Sequence, residues 1–531
     1  MPKRDILSEI CEKRRGSLKE KGFTFGFAIP EKRKRPIVPF LAEPGVILEV
    51  KRASPSKGDI APGLNAPETA KSYVKAGAGA ISCLTEENYF KGSLADLMAV
   101  SKAAGKKAAV LRKDFLLEPE EIEVSYKCGA DAVLLIARIL DSEKLLNMAE
   151  CAFSKGISVL LEVREDSDVE KAFSVLKKAV EMDCEDKIVL GINSRNLSDF
   201  TIDLLIPLKL KERIKKLASE KKLELSGLRI ISESGITSPE AAEFVGRIGF
   251  HGVLIGEAAA KSPEKAKNLV SSFKQGAGEA GKSSFWKKLA FHLENKPVGK
   301  PLVKICGIRD METAVKASES GADILGFIFA EKSVRTNYSD EGVKIQHIRG
   351  ELQNLASEGR IKMPLMVGVI VSPFSEEGKA CIELYNRGIL DGIQYHGCTE
   401  YADGKCGYGA LPLSCEADIE KLALLYSLGF PRVLIDAKND DEKNAAKDER
   451  YGGTGKQISE QVVLAARKKG PLWLSGGINP ENAGELVKKY RPELIDVNSG
   501  IESVPGKKDF DKLEKLFSEL NKINFADMVE E

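Results

Sequence analysis

Residues Ile47–Gly58 read ILEVKRASPSKG. An apolar strand runs here straight into a polar loop. Side chains alternate across a strand, so Ile47, Glu49 and Lys51 share one face while Leu48 and Val50 take the other. Two readings are open for the charged face. It belongs either to an edge strand with two solvated charges or to a buried strand whose carboxylate and ammonium have a chemical task, since burying such a pair idly is costly. The loop that follows offers Ser54, Ser56, Lys57 and Gly58, a set suited to an anion.

The rhythm continues outward from this stretch. Apolar runs begin near Ile47, Ala80, Ala109, Ala132, Ser158, Ile188, Arg229 and Gly252, with helical patterns such as Ala66–Ala76 and Glu118–Cys128 in the gaps. Eight such runs, each followed by a helix, match the count of a (β/α)₈ TIM barrel. Their near-continuous apolarity fits a parallel sheet covered on its outer face. An open doubly wound sheet is the structural rival, but it does not require eight strands, and no GxGxxG follows the first one. Upstream, residues 5–20 predict an amphipathic helix with Ile6, Ile10 and Leu18 among its apolar positions. Residues 23–40 predict a connection packed over the barrel floor or rim.

Residues 275–300 break the pattern: QGAGEAGKSS, one short helix-like FWKKLAFHLENK, then PVGKP. This reads as an interdomain linker. The alternation then restarts near Leu302, Ile324, Leu365, Gly392, Tyr408, Arg432, Leu472 and Leu494, with YGALPLS the least strand-like run. The predicted organisation is α/β, with two consecutive (β/α)₈ barrels joined by a short linker. The first spans 1–274 with an N-terminal helical extension, the linker 275–300, and the second barrel 301–531.

Composition narrows the function classes. A chain of 531 residues is too long for one compact domain. Lys and Arg total 80 against 79 acids, so no basic field argues for nucleic acid. No apolar run reaches membrane-spanning length, and MPKRDILSEICEKRR lacks the apolar core of a signal peptide. A soluble, cytoplasmic, monomeric protein is expected, with no nucleic-acid or membrane partner. The ten cysteines form no CxxC pair, which suits reduced thiols. His396, Cys398, Cys406 and Cys415 fit no standard zinc spacing, so no metal ligand is predicted.

Functional side chains of such barrels sit at the C-terminal strand ends. In the first barrel those ends carry Glu49 and Lys51, Lys113 (LRKDF), Glu162 (LLEVRED), Asn193 and Arg195 (GINSRNL), and Glu233 and Ser234 (IISESGI). Any one of them could be a structural charge at a barrel mouth. Their convergence from five strands points instead to a site. Gly235 and Gly256 follow strands seven and eight, the usual phosphate position, where glycine lets backbone N–H groups approach an anion. Glu257 comes next and is expected to point away from a phosphate.

In the second barrel, VKICGI puts Lys304 and Cys306 on one strand face, and a cation so placed favours the thiolate, a usable base. Asp436 (RVLIDAK) offers an acid at the end of strand six. Arg335 (EKSVRTN) suits a carboxylate through its planar fork. His396 (IQYHG) reads as a mouth-lining polar group without a proton-transfer role. Phosphate loops recur in LSGGINPENA with Gly476 and Gly477, in DVNSGIE with Ser499 and Gly500, and in YGGTGK with Gly453. Residues 438–450, KNDDEKNAAKDER, read as a charged solvated insertion.

ILEVKRASPSKGDI resembles the first-strand signature of indole-3-glycerol-phosphate synthase, and VKICGI resembles the first strand of phosphoribosylanthranilate isomerase. Each is followed by that family's other motifs in order, so the resemblance covers nearly the whole chain. It implies a bifunctional enzyme of tryptophan biosynthesis acting on small phosphorylated substrates. The second barrel would convert N-(5-phosphoribosyl)anthranilate to the carboxyphenylamino deoxyribulose phosphate by an Amadori rearrangement. The first would close the indole ring with loss of CO₂ and water.

The resemblance also implies roles. Lys113 would be the general acid, Glu162 its acid–base partner, and Lys51 would pair with the anthranilate carboxylate. Ser54, Glu49, Asn193, Arg195, Glu233 and Ser234 would hold substrate and tune these groups. Which of Lys51 and Lys113 carries each proton step stays open. A lysine works best as an acid near neutral pH when its pKa is lowered. In the second barrel Cys306 would take the C2 proton while Asp436 protonates the ring oxygen. No cofactor or metal is needed, because both reactions are acid–base chemistry. Two departures from the family pattern are QISE after GGTGK and the 438–450 insertion. The rivals are barrels for other sugar phosphates, which would call for paired aspartates on strands one and five, and a non-catalytic docking or regulatory barrel.

Overall fold

The computed structural model describes residues 6–195, 201–225, 227–281, 284–330, 333–338, 342–399, 404, 406–415, 418–427, 430–437 and 457–525. Gly453, the YGGTGK loop and the 438–450 insertion lie outside them. The chain divides into two compact units, Met1–Lys282 and Ser283–Glu531.

The first unit is a closed parallel barrel of β1 (Gly45–Val50), β2 (Ala80–Leu84), β3 (Ala109–Lys113), β4 (Ala132–Ile136), β5 (Ser158–Val163), β6 (Ile188–Asn193), β7 (Arg229–Glu233) and β8 (Gly252–Ile255). β1 pairs with both β2 and β8, with Ile47 opposite Ala80 on one side and Leu254 on the other. The edge-strand reading of ILEVK is therefore overturned, as is the open sheet: every residue of β1 is buried. Ile47, Leu111, Leu134, Leu160, Val189, Ile231 and Leu254 pack as an apolar interior.

Phe40 and Leu41 join that interior, so the aromatic connection lies at the floor. It is pinned by Arg33 and Arg35, whose guanidinium groups bind opposite oxygens of buried Asp131 at 2.5 and 2.8 Å. The helix α1 (Ile6–Lys21) buries Leu7, Ile10, Cys11 and Arg14. Its inward face is thus offset from the predicted Ile6–Ile10–Leu18 stripe. Arg14 explains the offset: its guanidinium reaches Asp114 at 3.1 Å and also pairs with Glu121. A charged residue holds a core-facing position when its counter-charges lie directly beneath it.

The second unit closes in the same way through β9 (Leu302–Cys306), β10 (Ile324–Phe329), β11 (Leu365–Ile370), β12 (Gly392–His396), β13 (Gly407–Leu413), β14 (Val433–Ala437), β15 (Trp473–Leu474) and β16 (Leu494–Val497). The weak YGALPLS run is β13. A short antiparallel ribbon follows, β17 (Glu502–Val504) with β18 (Lys507–Lys508).

The Ser284–Glu294 helix packs against this barrel. Phe285, Trp286 and Leu289 are fully buried, with Phe285 stacked on Tyr408 and Trp286 beside Trp473. Lys288 binds Asp391 at 2.5 Å and Lys296 binds Asp323 at 2.7 Å. Those aspartates accept backbone N–H groups of Met366 and Val303. The preceding helix, Ala266–Gly278, ends the first unit. Among the described residues, no helix is long and apolar enough to cross a membrane.

Candidate active sites

At the C-terminal end of the first barrel lies a cavity of about 530 Å³, the size of a small-molecule site. Of the anion-suited loop set only Gly58 stands outside it; Glu49, Lys51, Ser54, Lys113, Glu162, Asn193, Arg195, Glu233, Ser234, Gly235 and Gly256 all line it. Lys113 is the hub. Its ammonium stands 3.2 Å from Glu233 and 3.4 Å from Glu162. Glu49 binds Lys51 at 3.0 Å and accepts from Ser82 Oγ at 3.2 Å. Burial works against the Glu49 charge, but Lys51 and Lys113 outweigh it and hold the carboxyl below its ordinary range.

The sequence leaves open whether the Lys113 pKa is lowered, and the site does not lower it. Burial alone would lower it, but Glu233, Glu162 and Glu49 win, and its pKa lies above the ordinary value. The opposite strain falls on Glu233. Burial first, and then Glu162, push its pKa up against the pull of Lys113, and its Oε1 is buried without a partner. Two carboxylates on one ammonium cannot both be fully compensated.

Local backbone explains the glycines. Ser234 and Gly235 both have left-handed φ, at 69° and 79°, which turns the chain sharply at the end of β7. Gly256 has φ −102°, so conformation does not demand glycine there. Close approach does: a Cβ at Gly256 would stand 2.6 Å from Glu49 Oε1. Glu257 lines the cavity while pairing with Lys261 at 2.7 Å, one turn along its helix. Asn193 Oδ1 accepts from the Arg195 backbone at 3.0 Å.

Phe90, Phe115, Leu7 and Ile10 also line the cavity, and none of them was assigned to a site from sequence. Lys51 lies over the Phe90 ring at 5.5 Å. Phe115 is the last residue of the LRKDF motif, a signal that was available. The contribution of α1 was not, because its inward face depends on Arg14.

In the second barrel Lys304 and Cys306 share the inner face of β9, both buried. Lys304 is committed elsewhere, however. It donates to Asp496 at 2.6 Å and Gln394 at 2.5 Å, while Tyr408 OH also donates to Gln394. The expected thiolate-favouring effect is outweighed: burial pushes the Cys306 thiol up, with Lys304 only partly opposing it. Asp436 ends β14, accepts from the Ala437 N–H at 2.8 Å, and lies 4.0 Å from His396 Nε2. Burial raises Asp436 too, although His396 opposes the shift.

Gly476 and Gly477 both have left-handed φ, at 94° and 64°. A Cβ at Gly500 would stand 2.0 Å from the Ile478 carbonyl, so the turns after β15 and β16 lie against each other. Ser499 begins the short Ser499–Ile501 turn of helix. Arg335 is held by Glu502, through Nε at 2.9 Å and Nη2 at 2.7 Å. Asp496, Glu502 and Lys508 were missed from sequence, since polar residues on or after a last strand carry no mark of their partners; Gln394, on β12 within IQYHG, was missed as well.

Fold and sites together define a class: a tandem of (β/α)₈ barrels with acid–base groups gathered at the strand ends of each. The chain belongs to the indole-3-glycerol phosphate synthase and N-(5'-phosphoribosyl)anthranilate isomerase families, whose models match residues 25–271 and 303–519 in turn.

It is 30% identical to the tryptophan biosynthesis protein TrpCF of Vibrio cholerae, over 89% of this chain and 86% of that one. It is 39% identical to an indole-3-glycerol phosphate synthase of Carboxydothermus hydrogenoformans, over 42% of this chain and 77% of that one. A multifunctional tryptophan biosynthesis protein of Phycomyces blakesleeanus is 32% identical over 91% of this chain. The chain spans 60–63% of the length of that relative and of two similarly named fungal ones.

Proposed function

We propose that the chain carries two consecutive steps of tryptophan biosynthesis, the later one in its N-terminal barrel. The second barrel converts N-(5-phosphoribosyl)anthranilate to 1-(2-carboxyphenylamino)-1-deoxyribulose 5-phosphate. The first barrel closes that product to indole-3-glycerol phosphate, releasing CO₂ and water. The observation that carries the reading is the Lys113 ammonium held between Glu162 and Glu233 at one barrel mouth, with Cys306 and Asp436 on the strand ends of the other. The synthase falls to the first unit and the isomerase to the second, which takes in the Ser284–Glu294 helix of the expected 275–300 linker.

In the first barrel, Lys113 protonates the substrate carbonyl and Glu162 exchanges protons during dehydration. Glu233, Glu162 and Glu49 favour the protonated form of Lys113, the form an acid needs. Lys51 meets the anthranilate carboxylate. Glu49, Ser54, Asn193, Arg195, Glu233 and Ser234 orient the chain, and backbone around Gly235 and Gly256 takes the phosphate.

In the second barrel, Cys306 removes the C2 proton and Asp436 delivers one to the ring oxygen. Burial raises both groups: this suits Asp436 as an acid kept protonated and works against Cys306 as a base, with Lys304 and Lys508 the cations that favour its thiolate. Arg335 binds the carboxylate, His396 lines the mouth, and the phosphate rests on Gly476, Gly477, Ser499 and Gly500. A docking-only role for one barrel finds no support in residues, since each holds its own acid–base set. The direct test feeds phosphoribosylanthranilate to the pure protein and follows indole-glycerol phosphate. Build-up of the ketose alone, or no turnover, overturns the bifunctional reading.

A further inference from the structure

Arg335 is not simply free at the mouth of the second barrel. Its Nε and Nη2 both donate to Glu502, which is buried at the start of β17. Glu502 in turn accepts from Lys508 at 3.3 Å. The Lys508 side chain is only 2% exposed, and it also donates to the carbonyl and the side-chain oxygen of Asn498, at 2.9 and 2.8 Å. The cluster abuts the chemistry. Gly307, next to Cys306, has no room for a side chain because Asn498 Oδ1 would stand 2.8 Å from a Cβ and Arg335 Cδ 3.3 Å. Arg335 and Lys508 both interact electrostatically with Cys306.

A guanidinium offers more than one bidentate edge. Glu502 takes the Nε/Nη2 edge, and among the described residues nothing takes Nη1. The other edge can therefore receive a second carboxylate without release of the first. Charge agrees with geometry. Two cations, Arg335 and Lys508, face one carboxylate, so one positive charge remains for an anion. Without Lys508, Glu502 would neutralise Arg335. Without Glu502, a long side chain on a loop would lose its fixed plane. Burial lowers the Lys508 pKa from its ordinary value; Glu502 opposes that shift, and both oxygens of Asn498 accept from the ammonium.

We propose that Glu502 is a positioning residue for the isomerase, which clamps Arg335 by one edge so that its other edge meets the substrate's aromatic carboxylate, with Lys508 supplying the balancing charge. This rests on the isomerase reading of the second barrel given above. Precise support of a binding group by buried neighbours is what lets its geometry count.

The test compares two inhibitors of the isomerase reaction: the borohydride-reduced ketose product, and the same compound built from aniline, which lacks the carboxylate. The ratio of their inhibition constants measures what the carboxylate contributes. In Glu502→Gln the ratio should collapse by on the order of 10²-fold, the cost of slight misplacement. kcat should change much less than KM. Glu502→Asp should recover part of the ratio. Lys508→Met should lower it as well, whereas Lys508→Arg should not.

Trp286 and Trp473 both lie in the second unit, so their fluorescence checks its fold in every variant. If Glu502→Gln does not fold, the Lys508 pair decides. A ratio unchanged in Glu502→Gln, or equal in Lys508→Met and Lys508→Arg, overturns the clamp. A ratio unchanged in Arg335→Met removes Arg335 from carboxylate binding, and the clamp goes with that reading.

Discussion

Lys113 Nζ lies 3.2 Å from Glu233 Oε2, and only 2% of the Glu233 side chain reaches solvent. Each group favours the other's charged form, yet both pKa values lie above the ordinary ones: carboxylates raise Lys113, while burial and Glu162 raise Glu233 against the pull of Lys113. Lys113 is stabilised as an ammonium by three carboxylates, while Glu233 is left the least compensated of them. It makes Lys113 the group whose loss the site can least absorb. Lys113→Met should reduce indole-glycerol phosphate formation by about 10²–10⁴-fold, the range of acid–base groups. Isomerase turnover should persist, because Cys306 and Asp436 lie in the other unit. Near-normal synthase turnover would remove Lys113 from the acid role.

Glu233 should leave a signature in stability against pH. Its carboxyl is pushed from 4.5 up to about 7 in the native barrel. The native state then holds a proton that the unfolded chain has released. Stability from this group is complete below about pH 4.5 and declines as pH rises toward 7. Glu233→Gln cannot titrate, so the variant should gain on the parent between pH 5 and pH 8, whatever constant cost it carries. Unfolding followed by circular dichroism at both pH values checks this. A constant difference would place the Glu233 carboxyl in its ordinary range.

Thiol chemistry should separate two cysteines. Cys415 is exposed, whereas Cys306 is buried and its thiol is raised by burial. Iodoacetamide should label Cys415 early with no loss of isomerase rate. Activity should fall in a later phase that tracks Cys306 in peptide maps, quickens at higher pH, and slows with reduced product bound. Cys306→Ser and Asp436→Asn should each lose roughly 10²–10⁴-fold. Full labelling of Cys306 with an unchanged rate would end the base assignment.

The two units should work apart, but only if cut in the right place. A break within residues 279–283 leaves Phe285, Trp286 and Leu289 on the second fragment. Residues 1–278 should then carry the synthase and 283–531 the isomerase, near their rates in the intact chain. A fragment beginning at Pro297 loses three fully buried apolar side chains, worth about 1.5–3 kcal/mol each, together with Lys288 and Lys296 on buried aspartates. It should be insoluble or inactive. Equal activity of both second-unit fragments would show the helix to be dispensable.

Much of this was legible from the chain alone. Strand starts fall within a residue or two of the predicted positions, because a parallel barrel strand buried on both faces must be apolar throughout. Polar residues interrupting such strands at their C-terminal ends were equally visible, and in the first barrel those assigned to a site line one cavity. The Ser284–Glu294 helix shows where such reading stops. Its apolar face was plain in FWKKLAFHL, yet nothing local says which barrel it covers.

The sequence by itself determined two α/β barrels and the identity of the groups at their mouths, since hydrophobic period and strand-end position are local properties of the chain. Only the tertiary structure decided what those groups do to one another. Lys304 sits beside Cys306 on β9, but its charge goes to Asp496, 192 residues away. Lys113 is raised rather than lowered because carboxylates from β5, β7 and β1 converge on it. Arg335 is clamped by Glu502, 167 residues along the chain. Electrostatic free energies depend on distance and burial in space, and barrel closure sets both.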